Sequence, residues 1–96
     1  MKRGIIIPGP VTTVVNCKDD NYDVYIGRGS SFGNPFKIGK VHGTRLEVIA
    51  KFKTYVRSRP DFVERIKREL KGKTLGCHCK PLPCHGDVLA EIADED

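Results

Sequence analysis

The spacing of hydrophobic positions changes along the chain and predicts its elements. Residues 12–17 and 23–27 are rich in β-branched residues or alternate between apolar and polar positions, so both segments predict strands. From residue 44 onward, apolar positions recur every three or four residues, which predicts helices. Residues 73–79 predict a third strand, and residues 87–93 predict a last helix.

Capping and proline signals mark the boundaries of the first helix. Thr44 and Glu47 have the spacing of a capping box, so the helix is predicted to begin there. It is predicted to end near Ser58, because Pro60 disfavours helical geometry at the residue before it. Its predicted apolar face consists of Leu46, Ile49, Phe52, Tyr55 and Val56.

A second helix is predicted to begin at Pro60 or at the next residue. Phe62, Ile66 and Leu70 recur at every fourth position and define its buried face. Gly72 is predicted to lie just beyond its end, as the glycine that commonly terminates a helix.

The order of these elements indicates the fold class. Strands alternate with helices, which predicts an α/β fold: a small single-layer sheet of three to four strands, mixed or parallel, flanked by about three helices. The last strand is predicted to be central and parallel to an earlier one. Residues 5–7 are expected to add an edge strand, and residues 1–96 are expected to form a single domain.

Composition places the chain among ordinary globular proteins, with 96 residues of which 39% are hydrophobic and 30% charged. No apolar stretch approaches the roughly 20 residues of a membrane span. The apolar run near the start is also shorter than the h-region of a secretory signal, which needs about 7–15 residues. A cytoplasmic location is therefore expected, with the cysteines reduced or bound to metal rather than paired as disulfides.

The net charge of +5 favours an anionic partner. The 17 Lys and Arg residues are spread from Lys2 to Lys80, however, whereas a nucleic-acid-binding domain more often gathers its charge on one helix or arm. A small phosphorylated ligand is therefore favoured over sequence-independent binding of nucleic acid, and no membrane partner is expected.

Residues 77–87 contain three of the four cysteines and two of the three histidines. One interpretation is a zinc site formed by Cys77, Cys79, Cys84 and His85. Zinc-binding cysteines are usually spaced by two to four residues. Here two of them lie one residue apart on a predicted strand, and the other two ligands are adjacent in sequence. Zinc is therefore an alternative, and no cofactor is the first expectation.

A second interpretation of this cluster is thiol chemistry. Cys84 lies at a predicted helix start beside His85, where the helix dipole or a cation can stabilise a thiolate. The spacing of a redox-active cysteine pair, with two residues between them, is absent from the cluster. Cysteine is also a common small buried residue, so Cys77 and Cys79 are expected to pack on the inner face of their strand.

A third interpretation is an anion site at the start of the last helix. Ligands of α/β folds bind beyond the carboxyl ends of strands, where helix N–H groups and the helix dipole favour negative charge. Gly86 would allow close approach, and His85 would donate a hydrogen bond or act as an acid or base. Asp87 is either the N-cap of the helix or a carboxylate for a ribose hydroxyl or for general-base catalysis.

The loop at residues 27–36 is predicted to supply the other half of this site. Arg28 lies between Gly27 and Gly29, which are predicted to leave room for a phosphate, and its guanidinium group suits that ligand. The glycines match neither a dinucleotide-binding motif nor a Walker motif. The loop is also predicted to supply hydrogen-bond donors from Ser30 and Ser31. Phe32 and Phe36 are predicted to offer stacking faces, and Asn34 to contact a base edge.

With these motifs together, the chain resembles a family of small bacterial and phage proteins known as domain of unknown function 4326. Residues 14–16, 25–36, 43–45 and 76–87 carry the likeness, which extends over residues 12–93. Cys17 stands where the family pattern has valine, which disfavours it as a metal ligand. The resemblance brings no established activity, but phage occurrence suggests a protein that captures a host nucleotide signal without transforming it. It implies that one recurring pattern includes Arg28, Asn34, Cys77, Cys79, Cys84, His85 and Asp87.

The sequence therefore predicts a protein that binds a phosphorylated small molecule, a nucleotide or nucleotide-derived metabolite. The site is predicted between the loop at residues 28–36 and the helix start at residues 84–87. One alternative is a hydrolase or transferase that acts on such a ligand through His85, Asp87 or Cys84. The other is a zinc-stabilised module that binds a partner or nucleic acid.

Overall fold

The structure is a computed structural model that describes residues 11–95. Its elements are β1 (Thr13–Asn16), β2 (Val24–Tyr25), α1 (Arg45–Arg57), α2 (Pro60–Leu70), β3 (Thr74–Cys77) and α3 (His85–Ala93). The prediction of an α/β fold with a small sheet and three helices is confirmed for this part of the chain. The edge strand expected at residues 5–7 lies outside the described residues.

The sheet is parallel and has the strand order β1–β3–β2. Residues 13–16 of β1 pair with residues 74–77 of β3, and β2 pairs with Leu75 and Gly76 on the other side. The last strand is therefore central, as predicted, and its residues Leu75 and Cys77 are buried. Because all strands run the same way, the segments that follow them meet at one edge of the sheet.

The first helix begins and ends where the local signals place it. The Thr44 hydroxyl accepts a hydrogen bond from the Glu47 N–H, and the Glu47 carboxylate accepts one from the Thr44 N–H. The predicted capping box is thus confirmed. α1 ends at Arg57 with Ser58 as its C-cap, and Pro60 opens α2.

The buried face of α1 differs from the predicted one. Val48, Phe52 and Val56 are buried and lie four residues apart, so they share one face of the helix. Leu46 lies away from that face and is 68% exposed. The prediction that Leu46 contributes to the core was wrong, because the face of the helix that carries residues 48, 52 and 56 packs against the other helices.

α2 and α3 complete the hydrophobic core. Ile66 and Leu70 of α2 are fully buried, as their spacing predicted, and Leu89 of α3 joins them. Gly72 follows the C-cap of α2 with φ of 77°, the left-handed conformation expected of a terminating glycine. Within residues 11–95, no helix is long and apolar enough to cross a membrane.

Candidate functional site

A cleft of about 640 Å³ lies at the carboxyl edge of the sheet, beyond β2 and β3. Small-molecule sites usually have about 300–1,000 Å³. Its walls come from the segment after β2, the start of α1, the end of β3 and the turn into α3. The two segments predicted to form one site therefore meet here. Arg28, Asn34 and Phe36 line the cleft from the first segment, and Cys84 and His85 line it from the second.

Arg28 and Lys37 are exposed cations that line the cleft. Within residues 11–95, neither side chain makes an ion pair or a hydrogen bond. A guanidinium or ammonium group without a protein partner keeps its donors available for an anionic ligand. Arg28 was predicted from the sequence, whereas Lys37 was not.

Arg45 is a third cation in the cleft, and it was not predicted from the sequence. It is the first residue of α1, and its Nη1 donates to the Pro83 carbonyl oxygen at 3.4 Å. This contact joins the start of α1 to the turn that precedes α3. A signal was available in the sequence, because the dipole of a helix disfavours a cation in its first turn. An arginine directly after a capping threonine therefore indicates a use other than helix stability.

The turn between β3 and α3 is held by Asn16, at the end of β1. Its Nδ2 donates to the Lys80 carbonyl oxygen at 2.9 Å, and its Oδ1 accepts from the Lys18 N–H at 2.9 Å. A further bond from the Leu82 N–H to the Cys79 carbonyl oxygen closes the turn. These bonds fix the direction from which the chain enters α3 and hence the position of the cleft wall.

The start of α3 is a capping box built on a thiol. The helix begins at His85, two residues before the predicted start, because Cys84 and not Asp87 is its N-cap. The Cys84 Sγ accepts from the Gly86 N–H at 3.3 Å, and the Asp87 carboxylate accepts from the Cys84 N–H at 3.0 Å. Asp87 also forms an ion pair with Lys80. Its carboxylate thus stabilises the helix start and lies outside the cleft lining.

Cys84 is 1% exposed, and its surroundings oppose ionisation. Burial raises the pKa of the Cys84 thiol, the nearby Cys77 thiol raises it further, and the hydrogen bond from Gly86 only partly compensates. A nucleophilic cysteine needs a lowered pKa. The geometry therefore gives no support to Cys84 as a nucleophile.

The cysteine cluster is not arranged as a metal site. Within residues 11–95, no group of three or more Cys, His, Asp or Glu side chains is placed to hold a metal ion. Cys77 is buried in the strand, as expected, whereas Cys79 lies beyond the end of β3, half-buried against the core. The zinc set of Cys77, Cys79, Cys84 and His85 gains no support from this arrangement, and metal analysis remains its test.

His85 lies between the cleft and the core. Its Nε2 donates to the Ile26 carbonyl oxygen at 2.7 Å, and its ring packs edge-on against Phe52 with 5.2 Å between ring centroids. Burial lowers the pKa of His85, and the bond to Ile26 only partly offsets this effect. Nδ1, which lies 3.6 Å from the Cys84 Sγ, is then an acceptor. In the neutral ring His85 can act as a base at Nδ1, and the predicted donation to a phosphate would use the protonated ring.

We expect the stability of the protein to fall as the pH is lowered from about 7.5 to about 5. Burial lowers the pKa of His85 in the folded state below its ordinary value of 6.5. His85 therefore binds a proton more readily in the unfolded chain than in the folded protein. The contribution of His85 is fully present above that ordinary value. It is lost as the pH falls toward the folded-state pKa, with a slope of at most about 1.4 kcal/mol per pH unit. Urea unfolding over this pH range measures the slope.

The matched control for this experiment is His85→Gln, which retains an N–H for the Ile26 carbonyl oxygen but does not titrate. Hydrogen bonds lower the pKa of the Glu47 and Glu95 carboxylates below 4.5, so their contribution to stability begins to be lost only near pH 5, and it is the same in both proteins. The variant should show a shallower loss of stability across this range. Equal pH dependence in the two proteins would contradict the assignment.

The loop at residues 28–36 is held by its own polar side chains. Asn34 Nδ2 donates to the Val48 carbonyl oxygen at 3.1 Å, and its Oδ1 accepts from the Phe36 N–H at 2.8 Å. Asn34 therefore ties the loop to α1, and a contact with a base would use the second hydrogen or lone pair of its amide. Phe36 is half-buried in the cleft wall, with its ring edge-on to His42 and Tyr55.

Three predicted contributors from this loop lie outside the cleft lining. The Ser30 hydroxyl donates to the Gly27 carbonyl oxygen at 2.7 Å and closes a turn. Ser31 is exposed, and Phe32 is buried, where its ring stacks on Phe62 with 5.9 Å between centroids. Phe32 thus anchors the loop in the core and does not offer a stacking face to a ligand.

Two glycines were predicted to leave room for a ligand, but neighbouring side chains occupy the space beside them. A Cβ on Gly27 would lie 2.3 Å from the Tyr25 hydroxyl oxygen. A Cβ on Gly86 would lie 2.6 Å from Cδ1 of Ile26 and 2.9 Å from Cγ1 of Val14. Gly86 is buried and lies outside the cleft lining, so it serves the packing of α3 on the sheet.

Fold and cleft together define a small parallel α/β domain with a cationic cleft at the carboxyl edge of its sheet. The chain belongs to the family described as "Domain of unknown function (DUF4326)", which matches residues 13–95 and confirms the resemblance seen in the sequence. It is 40% identical, over 95 residues, to the "Uncharacterized 12.4 kDa protein in nrdA-td intergenic region" of Enterobacteria phage T4. The match covers 90% of this chain and 81% of that protein. No solved structure matches the chain significantly.

Proposed function

We propose that the protein binds a phosphorylated small molecule of the nucleotide class in this cleft. The proposal rests on the sign of the charged side chains that line the cleft. Arg28, Lys37 and Arg45 line the cleft, and no carboxylate does so among residues 11–95. Cations gathered in a concave site attract and concentrate anions, because its low-dielectric walls focus the field.

The positions of the cations support binding of phosphate. Arg28 lies three residues beyond the end of β2 and has no partner within the described part of the chain, so its guanidinium group can donate two parallel hydrogen bonds to phosphate oxygens. Arg45 and His85 are the first residues of α1 and α3, so the positive ends of two helix dipoles also lie at the cleft.

The remaining wall of the cleft suits a base or sugar. Phe36, Val48 and Ile49 line it beside the cations. Ligand sites commonly combine apolar and aromatic walls with a few charged groups that fix orientation. A ligand with an anionic group and an apolar ring system uses both parts of this lining, and a nucleotide has both.

Binding without turnover is favoured over the hydrolase or transferase alternative. The raised pKa of the Cys84 thiol, caused by burial, disfavours a thiolate, and Asp87 is used by the helix cap and by Lys80. Of the three residues of that alternative, only His85 keeps a basic atom, Nδ1, at the cleft. We expect no turnover when nucleotides are incubated with the protein, and turnover that is lost in His85→Ala would establish the alternative.

The proposal is tested by calorimetric titration with ADP, GDP, CDP and UDP, and with adenosine and pyrophosphate as controls. At least one nucleotide should bind, more weakly at high salt, whereas adenosine should not bind at the same concentration, because it lacks the anionic group. Absence of binding by every nucleotide, or equal binding of adenosine and ADP, would contradict the proposal. Steep salt dependence with long oligonucleotides would indicate a nucleic-acid partner instead.

The zinc alternative is tested on the same protein, purified without chelator. Tightly held zinc whose removal unfolds the chain would establish a structural metal site, because such sites contribute directly to folding. Our account expects the unfolding midpoint to be unchanged by EDTA.

A further inference from the structure

A second group of reactive side chains lies at the same edge of the sheet. Cys17 follows β1, Tyr25 ends β2 and His78 follows β3. The Cys17 Sγ lies 3.5 Å from Nδ1 and 3.7 Å from Nε2 of His78. The His78 Nε2 in turn lies 3.2 Å from the Tyr25 hydroxyl oxygen. The ends of three strands thus bring a thiol, an imidazole and a phenol together.

We propose that Cys17 is a modification site, a thiol that His78 activates for exchange with low-molecular-weight disulfides. All four cysteines are free thiols. Cys77 and Cys84 are each 1% exposed, and Cys79 is half-buried like Cys17 but packs against the core. Cys17 is partly accessible and lies beside an exposed imidazole, so it combines access with a neighbouring base.

The contact with Tyr25 can determine which nitrogen of His78 carries the proton. When the proton on Nε2 is donated to the Tyr25 hydroxyl oxygen, Nδ1 of His78 is an acceptor and can take the thiol proton. The Tyr25 ring also meets the imidazole edge-on, with 5.7 Å between centroids. The sulfur is nearly equidistant from both ring nitrogens, so it lies over the ring. Because His78 is exposed, rotation about its Cβ–Cγ bond can bring Nδ1 into line.

The exchange needs no reactant other than the Cys17 thiol and the small disulfide. His78 takes the proton from Cys17, and the sulfur of Cys17 attacks one sulfur of the disulfide. The Cys17–S bond forms as the original S–S bond breaks, and the departing thiolate receives the proton from His78. Cys17 is oxidised to a mixed disulfide, and one half of the small disulfide is reduced to a thiol. Tyr25 and His78 also line the cleft, but the exchange does not depend on the proposed nucleotide function.

The test is treatment of the whole chain with oxidised glutathione, followed by acid quenching and peptide mass spectrometry. Cys17 should form the mixed disulfide before the other three cysteines do. In His78→Gln the rate at Cys17 should fall by about tenfold, because the neighbouring base is lost, whereas the rate at Cys79 should be unchanged. His42→Gln, a change at a histidine distant in sequence, should leave both rates unchanged.

Two outcomes would overturn the proposal. One is faster modification of Cys79 than of Cys17 in the unmutated protein, a comparison that needs no variant to fold. The other is an unchanged rate at Cys17 in His78→Gln with an unchanged unfolding midpoint. A general increase at all four cysteines would indicate unfolding, and the order of modification in the unmutated protein then decides the question.

Discussion

Replacement of Arg28 by alanine is expected to weaken nucleotide binding by about 10- to 100-fold, because hydrogen bonds to charged groups contribute about 1.5–3 kcal/mol. The unfolding midpoint should be nearly unchanged. Arg28 is exposed and makes no ion pair or hydrogen bond within residues 11–95, so its loss leaves no buried group without a partner. Calorimetry and thermal unfolding on the same samples measure the two effects.

Lys40→Ala is the matched control for this prediction. Lys40 is an exposed cation near the same loop, but it lies outside the cleft lining, and its loss changes the net charge by the same amount. Binding should therefore be reduced only slightly in Lys40→Ala. Equal loss of affinity in both variants would mean that net charge, and not the placement of Arg28, determines binding. Loss of affinity only together with unfolding would also contradict the role given to Arg28.

Replacement of Phe52 by alanine is expected to destabilise the protein by about 3–5 kcal/mol. Phe52 is fully buried on α1, and its ring contacts His85 edge-on and Tyr55 in a stacked arrangement. Truncation leaves a cavity between α1 and the start of α3. For a domain of this size the unfolding midpoint should fall by about 15 °C or more. Urea denaturation gives the free energy directly.

Leu46→Ala, on the same helix, is the control for Phe52→Ala. Leu46 is 68% exposed, so its truncation should change stability by no more than about 0.5 kcal/mol. This pair tests which face of α1 is buried, the point at which the sequence and the structure disagree. Comparable destabilisation by the two variants would mean that the described orientation of α1 is wrong.

Local signals predicted the boundaries of most elements. The Thr44–Glu47 capping box, Pro60 and Gly72 each act on the backbone within a few residues, so they can be interpreted without knowledge of the fold. The predicted start of α3 was wrong, because the local signal that marks it is an unusual one. Cysteine is not among the preferred N-cap residues, so its spacing from Asp87 was not interpreted as a capping box.

Tertiary contacts were not predictable in this way. The choice between Leu46 and Val48 on α1 depends on where the other helices lie, since apolar residues occur on both sides of this helix. Gly27 and Gly86 suggested room for a ligand, but the nearby Tyr25 and Ile26 side chains occupy that space. Such contacts join segments far apart in sequence, and a single sequence gives no indication of them.

The candidate site was predictable in outline because parallel strands place their following segments at one edge. Arg28 and His85 were therefore predicted to share one site, and the structure brings both to the cleft. Lys37 and Arg45, which approach from the loop and from α1, were not predicted. Their participation depends on the long connection between β2 and α1, whose path local patterns do not determine.

The most direct test of the proposed binding site is a backbone amide NMR titration of the isotope-labelled protein with the four nucleoside diphosphates. We predict chemical-shift changes that cluster at the cleft, in residues 25–28, 34–38, 45–49, 77–79 and 83–85, and that are greatly reduced in Arg28→Ala. Absence of changes in the unmutated protein would contradict the account, as would changes confined to residues 57–67, which line a different surface depression.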